Sequence, residues 1–163
     1  MKNSKKFVIF LVLISLFVFS ASFANAEETS EKKFKLGDYI KTADFKVEKH
    51  IPVLSMPAKV KAGELFEIKA DIGKVIPHPN TPDHFISWIQ FFYKPADGKF
   101  LVDLGKCYFA SHSESLKPEV PGIASTEPFC SMKVKLAKSG TIFAVSYCKG
   151  HGLWETSQEI IVE

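Results

Sequence analysis

Four histidines and one cysteine fall at loops or at the ends of predicted strands, where side chains from distant parts of a chain can converge. These residues are His50, His78, His84, Cys148 and His151. Imidazole nitrogens combined with a thiolate suit a transition metal of intermediate softness, such as iron, copper or zinc. Calcium and magnesium require oxygen ligands, which are scarce around these residues. The side-chain types therefore predict a transition-metal site.

The local sequence around three of these histidines favours a preorganised metal site. His78 and His84 bracket a loop that contains two prolines, and Pro79 biases His78 toward an extended backbone. Glycines on both sides of His151 leave space and backbone freedom for a tight turn beneath a metal. A single Cys-x-x-His pair occurs by chance in many proteins. The prediction of a metal site therefore rests on this pair together with the other three histidines.

The elements that must position these residues are predicted to be strands. Apolar and polar residues alternate along 65–72 and 129–136, and residues 85–93 are apolar on both faces, as in a central strand. No window shows the period of an amphipathic helix. We predict about seven strands: 51–56, 65–72, 85–93, 100–110, 129–136, 142–148 and 159–162. Short strands separated by glycine and proline turns indicate an all-β, immunoglobulin-like antiparallel β-sandwich.

The N-terminal residues have the pattern of an export signal. Three lysines in the first six residues precede an apolar run over 7–19 that only Ser15 interrupts, and an Ala-x-Ala cleavage pattern ends at Ala26. A helix of that run rises only about 20 Å, less than the ~30 Å core of a bilayer, which disfavours an uncleaved membrane anchor. We predict a signal peptide (1–26), a leader segment (27–46) and a metal-binding β-sandwich domain (47–163). The protein is then exported, to the periplasm if its source is a Gram-negative bacterium.

The charges argue against nucleic-acid binding. All 21 basic residues are lysines, and three of them lie in the predicted signal peptide, so the remaining 18 equal the 18 acidic residues. A neutral chain without arginine lacks the electrostatic surface, and the bidentate donor, with which proteins hold phosphates and guanines. We therefore expect no nucleic-acid partner.

Four short motifs follow one another along the predicted domain. They are EKHIPV (48–53), GKVIPHPNT (73–81), HFISWI (84–89) and SYCKGHGLW (146–154). In this order and at these spacings they resemble the superoxide reductases, the neelaredoxin and desulfoferrodoxin iron-domain family. The resemblance extends from about residue 37 to the C-terminus.

The resemblance implies an immunoglobulin-like sandwich that carries one mononuclear, ferrous or ferric, non-haem iron per chain and reduces superoxide to hydrogen peroxide. The implied ligands are His50, His78, His84 and His151 in the equatorial plane and Cys148 as an axial thiolate. Glu48 matches a carboxylate that takes the sixth position in the ferric form, and Lys49 matches a cation near the open face. The family also implies a small redox protein as electron donor, and it leaves a homo-oligomer open.

Three features depart from the family or fall outside its ligand set. Phe85 stands where many members have a second histidine after His84, a neighbour that we take for a non-ligand. Residues 27–47 contain no cysteine, so we expect the one-iron type without a rubredoxin-like module. His112 lies in a similar segment but not at a ligand position, and we assign it a structural role or a role beside the ligands.

The two remaining cysteines, Cys107 and Cys130, are predicted to form a disulfide. An oxidising compartment permits the bond, Cys148 is committed to the metal, and the two residues fall in successive predicted strands. The alternative is a pair of buried free thiols.

Two other functional classes remain to be distinguished. A cupredoxin-like electron carrier also joins histidine and cysteine ligands on a β-sandwich, but it usually has a methionine soon after its Cys–His pair, and no methionine follows His151. A non-enzymatic immunoglobulin-like binding module requires the histidines and the cysteine to be incidental. Metal content and the red absorption of a thiolate-bound ferric ion separate these classes.

Overall fold

The strands of the protein form two facing layers. A computed structural model describes residues 33–117 and 119–163, so the predicted signal peptide lies outside the described residues. A short 3-10 helix (Leu36–Tyr39) precedes the strands. The strands are β1 (Ile40–Lys41), β2 (Val53–Ser55), β3 (Lys59–Val60), β4 (Leu65–Asp71), β5 (Ile86–Pro95), β6 (Val102–Tyr108), β7 (Phe129–Lys135), β8 (Gly140–Cys148) and β9 (Gly152–Val162). In the described part of the chain no helix is long and apolar enough to cross a membrane.

The larger layer has the strand order β1-β9-β8-β5-β6, with β3 also paired to β9, and the smaller layer has the order β2-β4-β7. All pairs are antiparallel except β1–β9 and β3–β9, which are parallel. The predicted all-β, immunoglobulin-like sandwich is confirmed.

The alternating apolar residues of the central strands pack into a single core between the layers. Ile68, Ile89, Phe91, Ile142 and Ile160 are at most 1% exposed. Burial of each such side chain stabilises the fold by roughly 2 kcal/mol. This close-packed interior gives the loops at the ends of the sandwich a rigid base.

Three strands differ from the sequence-based expectation, and the first of them, β3 (Lys59–Val60), falls outside every predicted strand. Strand β9 starts at Gly152 instead of residue 159, because its polar stretch pairs with β8 along its whole length although it lacks a clear apolar alternation. Strand β1 lies inside the predicted leader, where Ile40 pairs with Leu153 and Lys41 with Trp154. The compact unit therefore begins at Phe34, ahead of the predicted boundary at residue 47.

A disulfide joins Cys107 and Cys130, whose Cα atoms are 5.7 Å apart. Cys107 belongs to β6 of the larger layer and Cys130 to β7 of the smaller layer, so the bond ties the layers together through the core. Cys148 is the one free cysteine of the described residues.

Replacing both bridged cysteines by alanine should lower the free energy of unfolding by about 3 kcal/mol, the contribution expected for cross-linking positions 23 residues apart. Urea denaturation of metal-free protein and variant measures the difference. Titration of the unfolded, non-reduced, metal-free protein should find one thiol per chain, whereas three thiols would contradict the bridge.

Candidate metal centre

Loops at one end of the sandwich hold all five predicted ligands. His50 precedes β2, His78 and His84 lie between β4 and β5, Cys148 ends β8, and His151 lies in the turn to β9. The start of β2 pairs with the end of β4, and the start of β5 pairs with the end of β8. These pairings bring segments that are 100 residues apart in the chain to the same end of the fold.

The four imidazole rings form a square. The ring centres of neighbours are 4.8 Å apart for His50–His78, 4.7 Å for His78–His84, and 4.6 Å for both His84–His151 and His50–His151. The His50–His84 diagonal measures 5.8 Å. Neighbouring rings meet at 61–77°, as expected for rings that stand around one central point.

The inner nitrogens of these rings converge. His151 Nδ1 lies 3.0 Å from both His50 Nε2 and His84 Nε2. The outer Nδ1 atoms of His50 and His78 contact oxygen acceptors, Glu48 Oε1 and the carbonyl oxygen of Pro79 at 2.6 Å. Since each outer nitrogen donates its hydrogen, the inner nitrogen of a neutral ring presents a lone pair. Inner nitrogens this close to one another can bind a single cation between them.

Cys148 places its sulfur beneath the square. Its Sγ lies 3.6 Å from both His78 Nε2 and His151 Nδ1, and the residue is fully buried. The ligand atoms of His50, His78, His84 and Cys148 all lie within 4.8 Å of one another. Four nitrogens and one sulfur suit a transition metal and leave the side opposite the sulfur for an exogenous ligand.

The direction of the Cys148 side chain follows from the pleat of β8 and from a bulge in β5. Buried residues alternate along β8, so Cys148 points inward like Ser146, while Tyr147 points outward. Ile86 pairs with Cys148 but Trp88 pairs with Tyr147, which leaves one extra residue on β5 at this point. Bulges next to functional sites re-aim the following side chains.

Burial sets the protonation of the ligands. It lowers the pKa of His78 to about 4 and, with the neighbouring positive groups, holds the pKa of His50 and His84 below the usual value. Burial also raises the pKa of the Cys148 thiol, an effect opposed by backbone N–H groups of the following turn. His50, His78 and His84 are therefore neutral and ready to coordinate at pH 7, and the thiolate requires a cation beside it.

Glu48 contacts the outer nitrogen of one ligand ring, that of His50. Its Oε1 accepts hydrogen bonds from His50 Nδ1 and from the His50 backbone N–H, the latter at 3.2 Å. The carboxylate thus fixes the orientation and tautomer of one ligand ring. Occupying a sixth metal position, as the sequence resemblance implies, requires it to leave this hydrogen bond.

Three lysine ammonium groups, those of Lys41, Lys49 and Lys149, place positive charge near the site. The charge of Lys49 helps to lower the pKa of His50, His78 and His84. Lys149 Nζ donates to the carbonyl oxygen of Pro82 at 2.6 Å, and Lys41 Nζ donates to the carbonyl oxygen of His151 at 3.3 Å. The latter two bonds also brace the loops that carry the ligands.

Known proteins share this architecture and sequence. The family model for desulfoferrodoxin matches residues 42–157. The chain belongs to the desulfoferrodoxin family. A Thermotoga maritima protein provisionally named a superoxide reductase is 50% identical over 129 residues, which cover 79% of this chain and 98% of that protein. The superoxide reductase of Pyrococcus abyssi is 41% identical over 125 residues, 77% of this chain and 98% of the relative.

A solved desulfoferrodoxin-family structure supports the same conclusion. The superoxide reductase (neelaredoxin) from Archaeoglobus fulgidus in the reduced form has a TM-score of 0.67 and 38% identity, covering 76% of this chain and 98% of that chain. The family predicted from the four motifs is therefore confirmed.

Two residues of this desulfoferrodoxin-family protein support the ligands without being predicted to do so. Trp154 is buried and stacks on His50, with ring centres 4.8 Å apart and planes 11° from parallel. Asn80 connects the ligand loop to His112, through Oδ1 and His112 Nδ1 at 2.8 Å. Both residues lie within the family motifs, but nothing in their local sequence indicates these contacts.

His112 helps to fix the position of the His78–His84 loop through a contact with Asn80. It is 4% exposed, its Nε2 lies 3.1 Å from the carbonyl oxygen of Phe109, and its ring stacks on Phe85 at 3.6 Å between centres. Asn80 Nδ2 donates to the carbonyl oxygen of Thr126, which orients the amide so that Oδ1 accepts from His112. His112 is thus a positioning residue, and Phe85 packs against it in place of the family's second histidine.

The metal-free protein should lose stability as the pH falls from about 6.5 toward 4. The folded pKa of His78 is depressed, so the unfolded chain takes up a proton in this window and the folded chain does not. Urea unfolding at several pH values measures the slope, and His78→Gln should flatten it. An equal slope in the variant would contradict this assignment.

Removing the His112 side chain should loosen the metal. We expect His112→Ala and Asn80→Ala each to speed metal dissociation by roughly tenfold, the lower end of the range for residues that hold metal ligands in place. The double variant should show little further effect, because both substitutions break the same contact. Chelator-driven release measures the rates. Tyr93→Phe is the matched control, because it removes a buried hydrogen bond (to the Lys138 carbonyl) at the far end of β5. Equal loss of metal in this control would contradict a specific role for His112.

Proposed function

We propose that this protein is a superoxide reductase, which reduces superoxide to hydrogen peroxide at one mononuclear non-haem iron per chain. The observation that carries the proposal is the square of four imidazoles with a buried thiol beneath it and no protein ligand on the opposite side among the described residues. The name of the Pyrococcus abyssi relative supports the same activity.

Iron fits this donor set. Imidazole and thiolate ligands bind ferrous iron, and five protein ligands leave one position for a small anion. A cupredoxin-like carrier has no use for a fourth histidine, and a binding module has no use for converging lone pairs. The desulfoferrodoxin family membership disfavours both alternatives.

Reduction of superoxide to hydrogen peroxide consumes one electron and two protons. When bound, ferrous iron supplies the electron and a coordination position for the substrate. The imidazoles of His50, His78, His84 and His151 would hold the iron without adding negative charge that repels the anion. The buried Cys148 thiolate would be a further ligand that supplies electron density to the iron, and backbone N–H groups of the following turn would stabilise its charge.

Lys49 and Glu48 have different tasks in this proposal. The ammonium of Lys49 attracts superoxide and can order a water that delivers a proton. Glu48 holds the His50 ring in the reduced form through Nδ1. As the family resemblance implies, the Glu48 carboxylate would also be able to bind the iron in its ferric form.

The remaining partners and the location are part of the same proposal. A small redox protein returns the electron to the ferric site after each turnover. The charged and apolar pattern of residues 1–26 supports export, and the Cys107–Cys130 disulfide is compatible with an oxidising compartment such as the periplasm.

Stopped-flow mixing of the ferrous protein with superoxide tests the activity. One hydrogen peroxide per iron oxidised, without matching oxygen release, is the expected result. Oxygen release equal to peroxide would indicate disproportionation instead, and an unreactive ferrous protein would refute the proposal.

Lys49→Ala should slow the second-order reaction with superoxide about tenfold, equivalent to ~1.4 kcal/mol in barrier, because the attractive charge is lost. The dependence of the rate on salt should also flatten. Lys135→Ala, an equal change of charge on exposed β7 of the smaller layer, is the control and should react like the unmodified protein. An unchanged rate and salt slope in Lys49→Ala would exclude a steering role.

Glu48→Ala should leave this first step nearly unchanged, since the carboxylate does not face the open side. It should alter the later absorbance change of the ferric product. An altered first step with an unaltered later step would reverse the two assignments.

A further inference from the structure

The indole ring of Trp154 contacts both a metal ligand and an exposed lysine. The ring stacks on that of His50, with centres 4.8 Å apart and planes 11° from parallel. Lys41 Nζ lies 5.1 Å from the centre of the same indole. An ammonium within about 6 Å of an aromatic ring centre is attracted to the ring electrons, and tryptophan attracts cations most strongly. One buried ring therefore connects an exposed charge on β1 with a side chain of the metal site.

Packing, rather than a hydrogen bond within the described residues, holds the Trp154 ring. The residue is 8% exposed, and its Nε1 has no hydrogen-bond partner in 33–117 or 119–163. A buried indole usually donates its N–H, and that bond helps to fix how the ring is turned. Since no described residue accepts this hydrogen bond, the orientation of the ring depends on its packing and on the contacts with His50 and Lys41.

The pairing of β1 with β9 places Lys41 at this ring. The two strands are parallel, and Lys41 lies opposite Trp154 in their register. Residues paired across neighbouring strands direct their side chains to the same face of a sheet. Lys41 Nζ also donates to the carbonyl oxygen of His151 at 3.3 Å. The ammonium thus contacts the ring that stacks on His50 and the turn that carries His151.

We propose that Lys41 is a positioning residue of the metal site, which holds the Trp154 ring against His50 and fastens the His151 turn to β1. Lys41 forms no ion pair with a carboxylate of the described residues, so the indole and the carbonyl oxygen do not compete with one for its ammonium. Lys41 acts on the ligands only through these two neighbours. The proposal rests on the metal site of the proposed function, but not on the reaction with superoxide.

A positioning role and a purely electrostatic role have opposite effects on release of the metal. A positive charge near a bound cation repels it, so removing a charge that did nothing else would slow metal release. Removing a contact that orients the ligands speeds release instead, because misaligned ligands hold the metal less firmly. The direction of the change in the release rate therefore distinguishes the two roles.

Chelator-driven release from the ferrous protein, kept free of oxygen, measures this rate. Lys41→Met removes the charge and keeps a long side chain, and it should speed release about threefold, the scale of one exposed cation–π contact. Lys41→Arg should restore the original rate, because a guanidinium also binds an indole face and donates to a carbonyl oxygen. Slower or unchanged release from Lys41→Met would overturn the proposal, as would faster release that Lys41→Arg shares.

Lys59→Met is the matched control. Lys59 belongs to β3, which also pairs in parallel with β9, but it lies opposite Ile161, about 23 Å along that strand from Trp154. Loss of this exposed charge should leave the release rate unchanged. Release as fast as that from Lys41→Met would contradict a specific role for Lys41.

Trp154→Leu tests whether the indole links Lys41 to the ligands. This change should speed release, and adding Lys41→Met should then have a smaller effect than in the unmodified protein, since both changes break the same contact. Fully additive effects would overturn the link through the indole. Because Lys41 is exposed, its own variants keep the proposal testable even where the buried Trp154→Leu variant fails to fold.

The same series on zinc-loaded protein separates this proposal from the proposed activity. Zinc binds imidazole and thiolate ligands and has no redox chemistry. The same order of release rates with zinc would support the positioning role whether or not the iron protein reduces superoxide. Equal zinc release from Lys41→Met and the unmodified protein would overturn it.

Discussion

The convergence of four imidazole lone pairs above one buried sulfur is the constraint on which the rest of the structure depends. The inner nitrogens lie 3.0 Å apart, so the protein must hold the rings in place from outside the square. Hydrogen bonds to the outer nitrogens do part of this, through Glu48 at His50 and the Pro79 carbonyl at His78. The remaining rigidity comes from the sandwich itself, whose core residues are almost completely excluded from solvent.

The ligands lie in loops, and the contacts behind those loops restrain them. His112, Asn80 and the carbonyl of Thr126 connect the His78–His84 loop to the segment that follows β6. Lys149 and Lys41 brace the neighbouring loop and turn through carbonyl oxygens. Gly73 has a positive φ of 86°, and a Cβ there would lie 2.8 Å from the His78 backbone nitrogen, so only glycine permits the close approach of the chain at this point. These contacts limit the freedom of the ligand loops before any metal binds.

The two layers have different surroundings and different tasks. The smaller layer is linked to the larger through the core and the Cys107–Cys130 bond, and its outward residues include lysines such as Lys133 and Lys135. The outer face of the larger layer is apolar, and the β8–β9 turn of that layer carries His151 next to the buried end of β8. The larger layer therefore supports part of the metal site at its end and carries an apolar groove on its outer face.

The side-chain chemistry of the ligands and the local pattern of apolar residues could be predicted from the sequence without knowledge of the fold. The strands with strong alternation, β4 and β7, lie within a residue of their predicted bounds, because one buried face imposes a period of two. The five predicted ligands converge because the motifs place them at strand ends, and family motifs identified their chemistry. The sequence did not predict β1 and predicted β9 too short, because pairing with neighbouring strands, rather than local hydrophobicity, stabilises them.

The sequence by itself determined the ligand types, the β-sandwich and the family, since these depend on side-chain chemistry and on periodicity along the chain. Only the tertiary structure decided that Glu48 contacts His50 Nδ1, that Trp154 stacks on the same ring and that His112 supports the ligand loop through Asn80. It also decided that Lys41 contacts the Trp154 ring and the carbonyl oxygen of His151. Such relations join residues far apart in the chain, and their geometry depends on strand register and loop packing, which no local pattern encodes.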